Sequence, residues 1–159
     1  MPAEVGSAAP DFALDGTDDT DAGHRTYTLA EYRGQVVVLV FYPGDNTPVC
    51  TRQLNTYTED LASFTDVGAQ VLAISPQSVA SHDEFSCKHG GFGFPLLADT
   101  DKAVGEAYGI LGPLGFYRRS AFVVDPQGVI RYAHRAVAGL TYRSTNELVA
   151  AVRAATTDH

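Results

Sequence analysis

A chain of 159 residues, 45% of them hydrophobic, is long enough for one domain with a sizeable core and too short for two of that size. Its formal charge of -8 opposes adsorption to nucleic acid or to an anionic membrane, and no lysine–arginine cluster relieves that field locally, so the expected partner is a small molecule or another protein. Two cysteines at this length do not make a disulfide framework, which leaves each thiol as a core residue or as chemistry.

The first pieces of the chain are short and strand-like, at 12–14 and 26–29. Between them "DGTDDTDAG" (15–23) reads as a solvated hairpin loop. Its four aspartates lack the spacing of a calcium loop, and no distal glutamate follows. After the Arg33-Gly34 turn, "VVVLVFY" (36–42) is an apolar, largely β-branched run without alternation, the pattern of a central strand buried on both faces. It is the longest strongly apolar run and falls far short of a membrane span. The N-terminal "MPAEVGSAAP" has neither a basic start nor an apolar signal segment, so a cytoplasmic location is expected.

From Thr51 the period changes: Leu54, Tyr57, Leu61 and Phe64 predict one helix running to Gly68. A strand follows at "AQVLAIS" (69–75), then a helix over 78–89 closed by Gly90-Gly91, and an extended "FPLLAD" (94–99). A short helix over 101–108 ends at Gly109. "SAFVVD" (120–125) and "VIRYAH" (129–134) form a hairpin about the Pro126-Gln127-Gly128 turn, and an amphipathic helix over 146–155 closes the chain. Alternating strands and helices with a late hairpin predict a three-layer α/β sandwich around a mixed sheet.

Thr47 is a favoured N-cap residue and Pro48 suits the first helical position, which places Cys50 inside the first turn. Unpaired backbone N–H groups and the positive end of the helix dipole converge there and favour an anionic sulfur. The competing reading is a buried cysteine that packs as a small apolar residue. Cys87 stands two positions after Phe85, so if Phe85 faces the core then Cys87 faces water. Asp83 and Glu84 lie on its side of that helix and disfavour its thiolate, which makes Cys50 the attacker and Cys87 the later partner; a tolerated surface cysteine is the alternative. Arg118 and Arg119 precede an apolar strand, where successive side chains point to opposite faces; periodicity does not choose between them.

Together these residues resemble the peroxiredoxins, thiol peroxidases on a thioredoxin-like fold. The family pattern of proline, three residues, threonine or serine, two residues and the peroxidatic cysteine is met by Pro43, Thr47 and Cys50 in "PGDNTPVC". The family's arginine before an "FxxD" strand and glycine turn falls on Arg119 in "RSAFVVDPQG". The resemblance runs from "APDFAL" through "FPLLAD" to the hairpin after Arg119. It is strongest to the peroxiredoxin Q group, also called bacterioferritin comigratory proteins, whose "FYP...TPxCTxQ" pattern also takes in Gln53.

The resemblance implies a thioredoxin-like fold, a mixed sheet flanked by helices with an N-terminal β-hairpin, over a single domain spanning 1–159. It implies a peroxide substrate, hydrogen peroxide or an organic hydroperoxide, reduced without metal or cofactor. Cys50 would form sulfenic acid, Thr47 would hydrogen-bond the peroxide, Arg119 would hold the thiolate and Pro43 would shield the sulfur. The N–H groups of Val49 and Cys50 would stabilise developing charge on oxygen. Many members of the Q group carry a resolving cysteine five positions on, where this chain has Asn55. A smaller set carries it on the next helix, at Cys87, which implies an intramolecular disulfide reduced by thioredoxin or a similar dithiol, in a monomer or weak homodimer. A one-cysteine peroxidase resolved by an external thiol is the alternative. A disulfide reductase would need a cysteine where Gln53 stands, a glutathione-peroxidase-like enzyme normally uses a tryptophan that this chain lacks, and a metal or redox-sensing module would draw on His82, Cys87 and His89.

Overall fold

The computed structural model of the chain describes residues 4–17, 25–43, 48–88, 94–112, 115, 117–135 and 145–157. All six side chains of β3 (Val36–Phe41) are buried, as a run without alternation requires. It pairs in parallel with β4 (Ala69–Ser75) and antiparallel with β6 (Ser120–Val124). On one side β5 (Leu96–Ala98), β1 (Ala13–Thr17) and β2 (Arg25–Thr28) extend the sheet, and β7 (Ile130–Arg135) extends it on the other. The seven strands lie in the order β2-β1-β5-β4-β3-β6-β7.

Alternation along β3 and β6 divides the core into two layers. Val36, Val38, Val40, Ala121 and Val123 face α1 (Pro48–Glu59), α2 (Leu61–Thr65), α3 (Val79–Lys88) and α5 (Thr145–Thr157), whose buried residues include Leu54, Phe64, Phe85 and Val152. Val37, Leu39, Phe41, Phe122 and Val124 face α4 (Ala103–Ala107) and the residues after it, with Val104, Tyr108 and Ile110. Each fully buried aliphatic or phenyl side chain contributes on the order of 1.5–3 kcal/mol, so the two layers hold the sheet against strand slippage. The expected three-layer sandwich, with its N-terminal hairpin, is the architecture observed.

Two elements depart from the sequence reading. The first strand reaches Thr17, with Asp15 opposite Thr26 and Gly16 opposite Arg25, so part of the expected loop is sheet. Polar character misled here: Asp15 points to solvent and accepts the Thr26 hydroxyl at 2.8 Å. Gly16 lies where a Cβ would sit 2.5 Å from Leu97. Residues 18–24, the rest of that loop, lie outside the described residues. The helix expected to run to Gly68 breaks at Asp60 (φ -97, ψ 14) into α1 and α2. There the Asp60 carboxylate accepts the Thr145 hydroxyl at 2.8 Å, a tertiary tie to α5 that no local period reports.

The β6–β7 turn is built on Asp125. Its Oδ1 accepts the N–H groups of Gln127 and Val129 at 2.9 Å each, its Oδ2 accepts Arg131 Nε at 2.8 Å, and Gly128 takes φ +86. Burial pushes the Asp125 carboxyl up, but the hydrogen bonds from Val129, Arg131 and Gln127 outweigh it and hold the group below the usual carboxylate value. A depressed folded value contributes stability above the ordinary carboxylate range that is lost as pH falls through the folded value. Asp125→Asn is therefore expected to lower stability by about 1–3 kcal/mol at neutral pH. Urea midpoints measured from pH 7 downward should show the gap to wild type closing in acid.

Candidate active site

The chain leaves the end of β3 through Tyr42 and Pro43 and enters α1 at Pro48. Cys50 is the third residue of that helix, in the first turn, as the Thr47-Pro48 pair predicts. Thr47 itself lies outside the described residues, as do the side chains of Val49 and Cys87; the backbones of those two belong to α1 and α3. Pro43 is half-buried. Cys50 is in no disulfide and has no exposed surface.

Arg119 comes to that sulfur from the opposite direction in sequence. Ser120 pairs with Phe41, so the residue before β6 is delivered to the end of β3 where the chain turns towards α1. The alternation of β6 decides between the two arginines: Arg119 shares the face of Ala121 and Val123, which pack in the same core layer as Cys50. Its Nη2 donates to Cys50 Sγ at 3.2 Å and its Nη1 to Gln53 Oε1 at 2.5 Å. Gln53 and Arg119 are 1% and 3% exposed, so the fork operates away from bulk water, where a charge-assisted hydrogen bond is strongest. Arg118 turns away and donates through Nη2 to the Arg135 carbonyl at 3.4 Å.

One turn of α1 separates Cys50 from Gln53, so both side chains share a helix face. Their common partner is the planar guanidinium, which offers two parallel N–H groups where lysine offers a single mobile charge. Removing the amide leaves a buried N–H without that acceptor and the fork without its guide. If Cys50 acts as the resemblance implies, Gln53→Leu slows its oxidation by hydrogen peroxide by about 10- to 100-fold, the scale of a small misplacement of a reacting group. Stopped-flow rates on the reduced protein check this.

The segment that delivers Arg119 is fixed by a buried cluster that the sequence reading passed over. Asp99 has no exposed surface and accepts the N–H groups of Val104 and Gly105 at 3.2 and 2.9 Å, at the start of α4. It also accepts the hydroxyl of Tyr117, two residues before Arg119. Burial and then the Asp99 hydrogen bond push the Tyr117 hydroxyl well above its usual value, which keeps it a donor. The available signal was an aspartate just ahead of a short helix.

His82 is one of the three residues of the metal alternative. It has no exposed surface, and its ring nitrogens meet the Leu97 carbonyl at 2.9 Å and the Tyr42 hydroxyl at 3.4 Å. His89 lies outside the described residues.

The AhpC/TSA family model matches residues 5–133 of this chain. The chain belongs to that family, the peroxiredoxins. Rat (Rattus norvegicus) peroxiredoxin-2 is 37% identical over 136 residues, covering 81% of this chain and 68% of its own. A relative from rice (Oryza sativa subsp. indica) that carries the name of the chloroplastic peroxiredoxin Q is 36% identical over 131 residues, 81% of this chain and 58% of its own. The structure of Mycobacterium bovis AhpC superposes with a TM-score of 0.86 at 29% identity, covering 100% of this chain and 96% of that one. This peroxiredoxin is thus a thiol peroxidase, an oxidoreductase that reduces peroxide with thiol reductants. Among the described residues no helix is long and apolar enough to cross a membrane.

Proposed function

We propose that Cys50 is the peroxidatic sulfur, that Arg119 holds it as the thiolate, and that Cys87 resolves it within the same chain. The observation that carries this reading is the buried contact of Arg119 Nη2 with Cys50 Sγ at 3.2 Å, with Gln53 fixing the other arm of the guanidinium. A cationic donor held at that sulfur is placed to stabilise the negative charge that develops as peroxide reacts. The N–H groups of Val49 and Cys50, in the first turn of α1, add donors at the helix start. Pro43 limits water at the sulfur, and the role of Thr47 as a donor to peroxide rests on its sequence position.

The thiolate attacks the terminal oxygen of the peroxide. The O–O bond breaks, Cys50 becomes sulfenic acid, and the departing oxygen takes up a proton to leave as water or alcohol. Cys87 then attacks the Cys50 sulfur: an S–S bond forms, the S–O bond breaks, and hydroxide leaves as water with the thiol proton. A dithiol of the thioredoxin class restores both thiols by exchange. A disulfide needs a Cα separation of about 4.4–6.8 Å, and resolution between thiols carried on α1 and α3 is expected to proceed by local unwinding.

A thiol count and intact mass before and after one equivalent of hydrogen peroxide, on wild type and Cys87→Ser, test the cycle. Loss of both thiols and about two mass units in wild type, with sulfenic acid in the variant, is the expected result. Sulfenic or sulfinic acid in wild type, with Cys87 still free, would make this a one-cysteine enzyme instead.

A further inference from the structure

The helix that carries Cys87 is fastened to the body of the protein in part through His82 and Phe85. Among the described side chains of α3, residues 79–85, two are fully buried: His82 and Phe85. Both seat on Tyr42, with ring centroids at 6.3 Å for His82 and 6.5 Å for Phe85. Tyr42 is itself fully buried, immediately precedes Pro43, and belongs to the same core layer as Cys50. The hold on α3 and the approach to the reactive turn therefore share one residue.

Half of that hold is polar. The Leu97 carbonyl can only accept, so His82 Nε2 carries the proton of the 2.9 Å bond. The other ring nitrogen, Nδ1, meets the Tyr42 hydroxyl at 3.4 Å. A leucine or phenylalanine at position 82 would bury more apolar surface and dock the helix more tightly. Hydrogen bonds of modest net strength, by contrast, hold an orientation and can be exchanged for water when the helix lifts. Such a fastening suits a helix that must open in every catalytic cycle.

We propose that the Tyr42–His82 pair is a latch: it keeps α3 docked while Cys50 meets peroxide, and its opening sets the rate at which Cys87 reaches the Cys50 sulfenic acid. This rests on the reading of Cys87 as the resolving thiol. His82 and Tyr42 are then positioning residues that act through α3. When the latch opens, Tyr42 loses both ring neighbours on α3.

The test uses reduced full-length protein as wild type, Tyr42→Phe and His82→Gln. Tyr42→Phe keeps the ring and removes only the hydroxyl, and His82→Gln keeps a donor for Leu97. Hydrogen-exchange mass spectrometry should show residues 79–88 opening about fivefold more readily in Tyr42→Phe, the ratio of one ordinary hydrogen bond, with β4 unchanged. After a pulse of hydrogen peroxide, disulfide formation should accelerate by a similar factor. The sulfinic acid formed at a fixed peroxide excess should fall, and the rate of the first reaction with peroxide should stay at the wild-type value. A residue with a merely structural role would lower overall stability without shifting the balance between disulfide and sulfinic acid. If wild type forms the Cys50–Cys87 disulfide but neither variant changes α3 exchange or resolution rate, the latch is wrong and the two-cysteine reading stands. If wild type forms no disulfide, both fall.

Discussion

Arg119→Lys is expected to slow the reaction of Cys50 with hydrogen peroxide by about 10²–10³-fold, the cost of removing a preorganised donor from developing negative charge. Arg119 reaches two partners at once, Cys50 Sγ at 3.2 Å and Gln53 Oε1 at 2.5 Å, because its guanidinium is a rigid fork. Lysine keeps the charge but has one flexible ammonium, so it satisfies one partner at the expense of the other. Arg118→Lys is the matched control. Arg118 sits on the opposite side of the strand with its Nη2 on the Arg135 carbonyl, and its replacement should leave the rate near that of wild type. Second-order rate constants from stopped-flow mixing of the reduced proteins with peroxide make the comparison, and equal losses in both variants would remove Arg119 from its special place.

The largest loss of stability is expected from Asp99→Ala. The carboxylate is fully buried and serves three donors: the N–H groups of Val104 and Gly105 and the Tyr117 hydroxyl. Removing it leaves all three donors buried without that acceptor, at a cost of about 3–5 kcal/mol, a large fraction of the total stability of a domain of this size. Urea unfolding measures the loss directly. Because Tyr117 lies two residues before Arg119, the same change should also slow Cys50 under conditions where the protein remains folded. Tyr117→Phe, which keeps the ring and removes one donor, should cost only about 1 kcal/mol.

What the sequence disclosed and what it hid divide along the range of the interactions involved. The β3 run, the late hairpin and the start of α1 at Pro48 follow from local composition, and each appears where the pattern places it. The family motif pointed to Cys50 and Arg119, and the structure brings the two side chains together. The break at Asp60 was not legible from local period, and the Thr145 hydroxyl that meets its carboxylate lies 85 residues away in sequence. Nor could alternation alone separate Arg118 from Arg119. That choice needs the knowledge that odd-numbered residues of β6 face α1, which is a property of the assembled sheet. His82 read as a possible metal ligand because a histidine near a cysteine looks the same in sequence whether its ring points outwards or into the core. Asp99 and Tyr117 stand 18 residues apart and meet only once α4 has packed against the sheet.

The central claim is that the Cys50 sulfur reduces peroxide. The most direct measurement is a single turnover: reduced protein mixed with a substoichiometric pulse of hydrogen peroxide and no added reductant, comparing wild type with Cys50→Ser. Wild type should consume the pulse completely, with one Cys50 oxidised per peroxide lost, and Cys50→Ser should consume none while remaining folded. Consumption by Cys50→Ser at the wild-type rate would contradict the account.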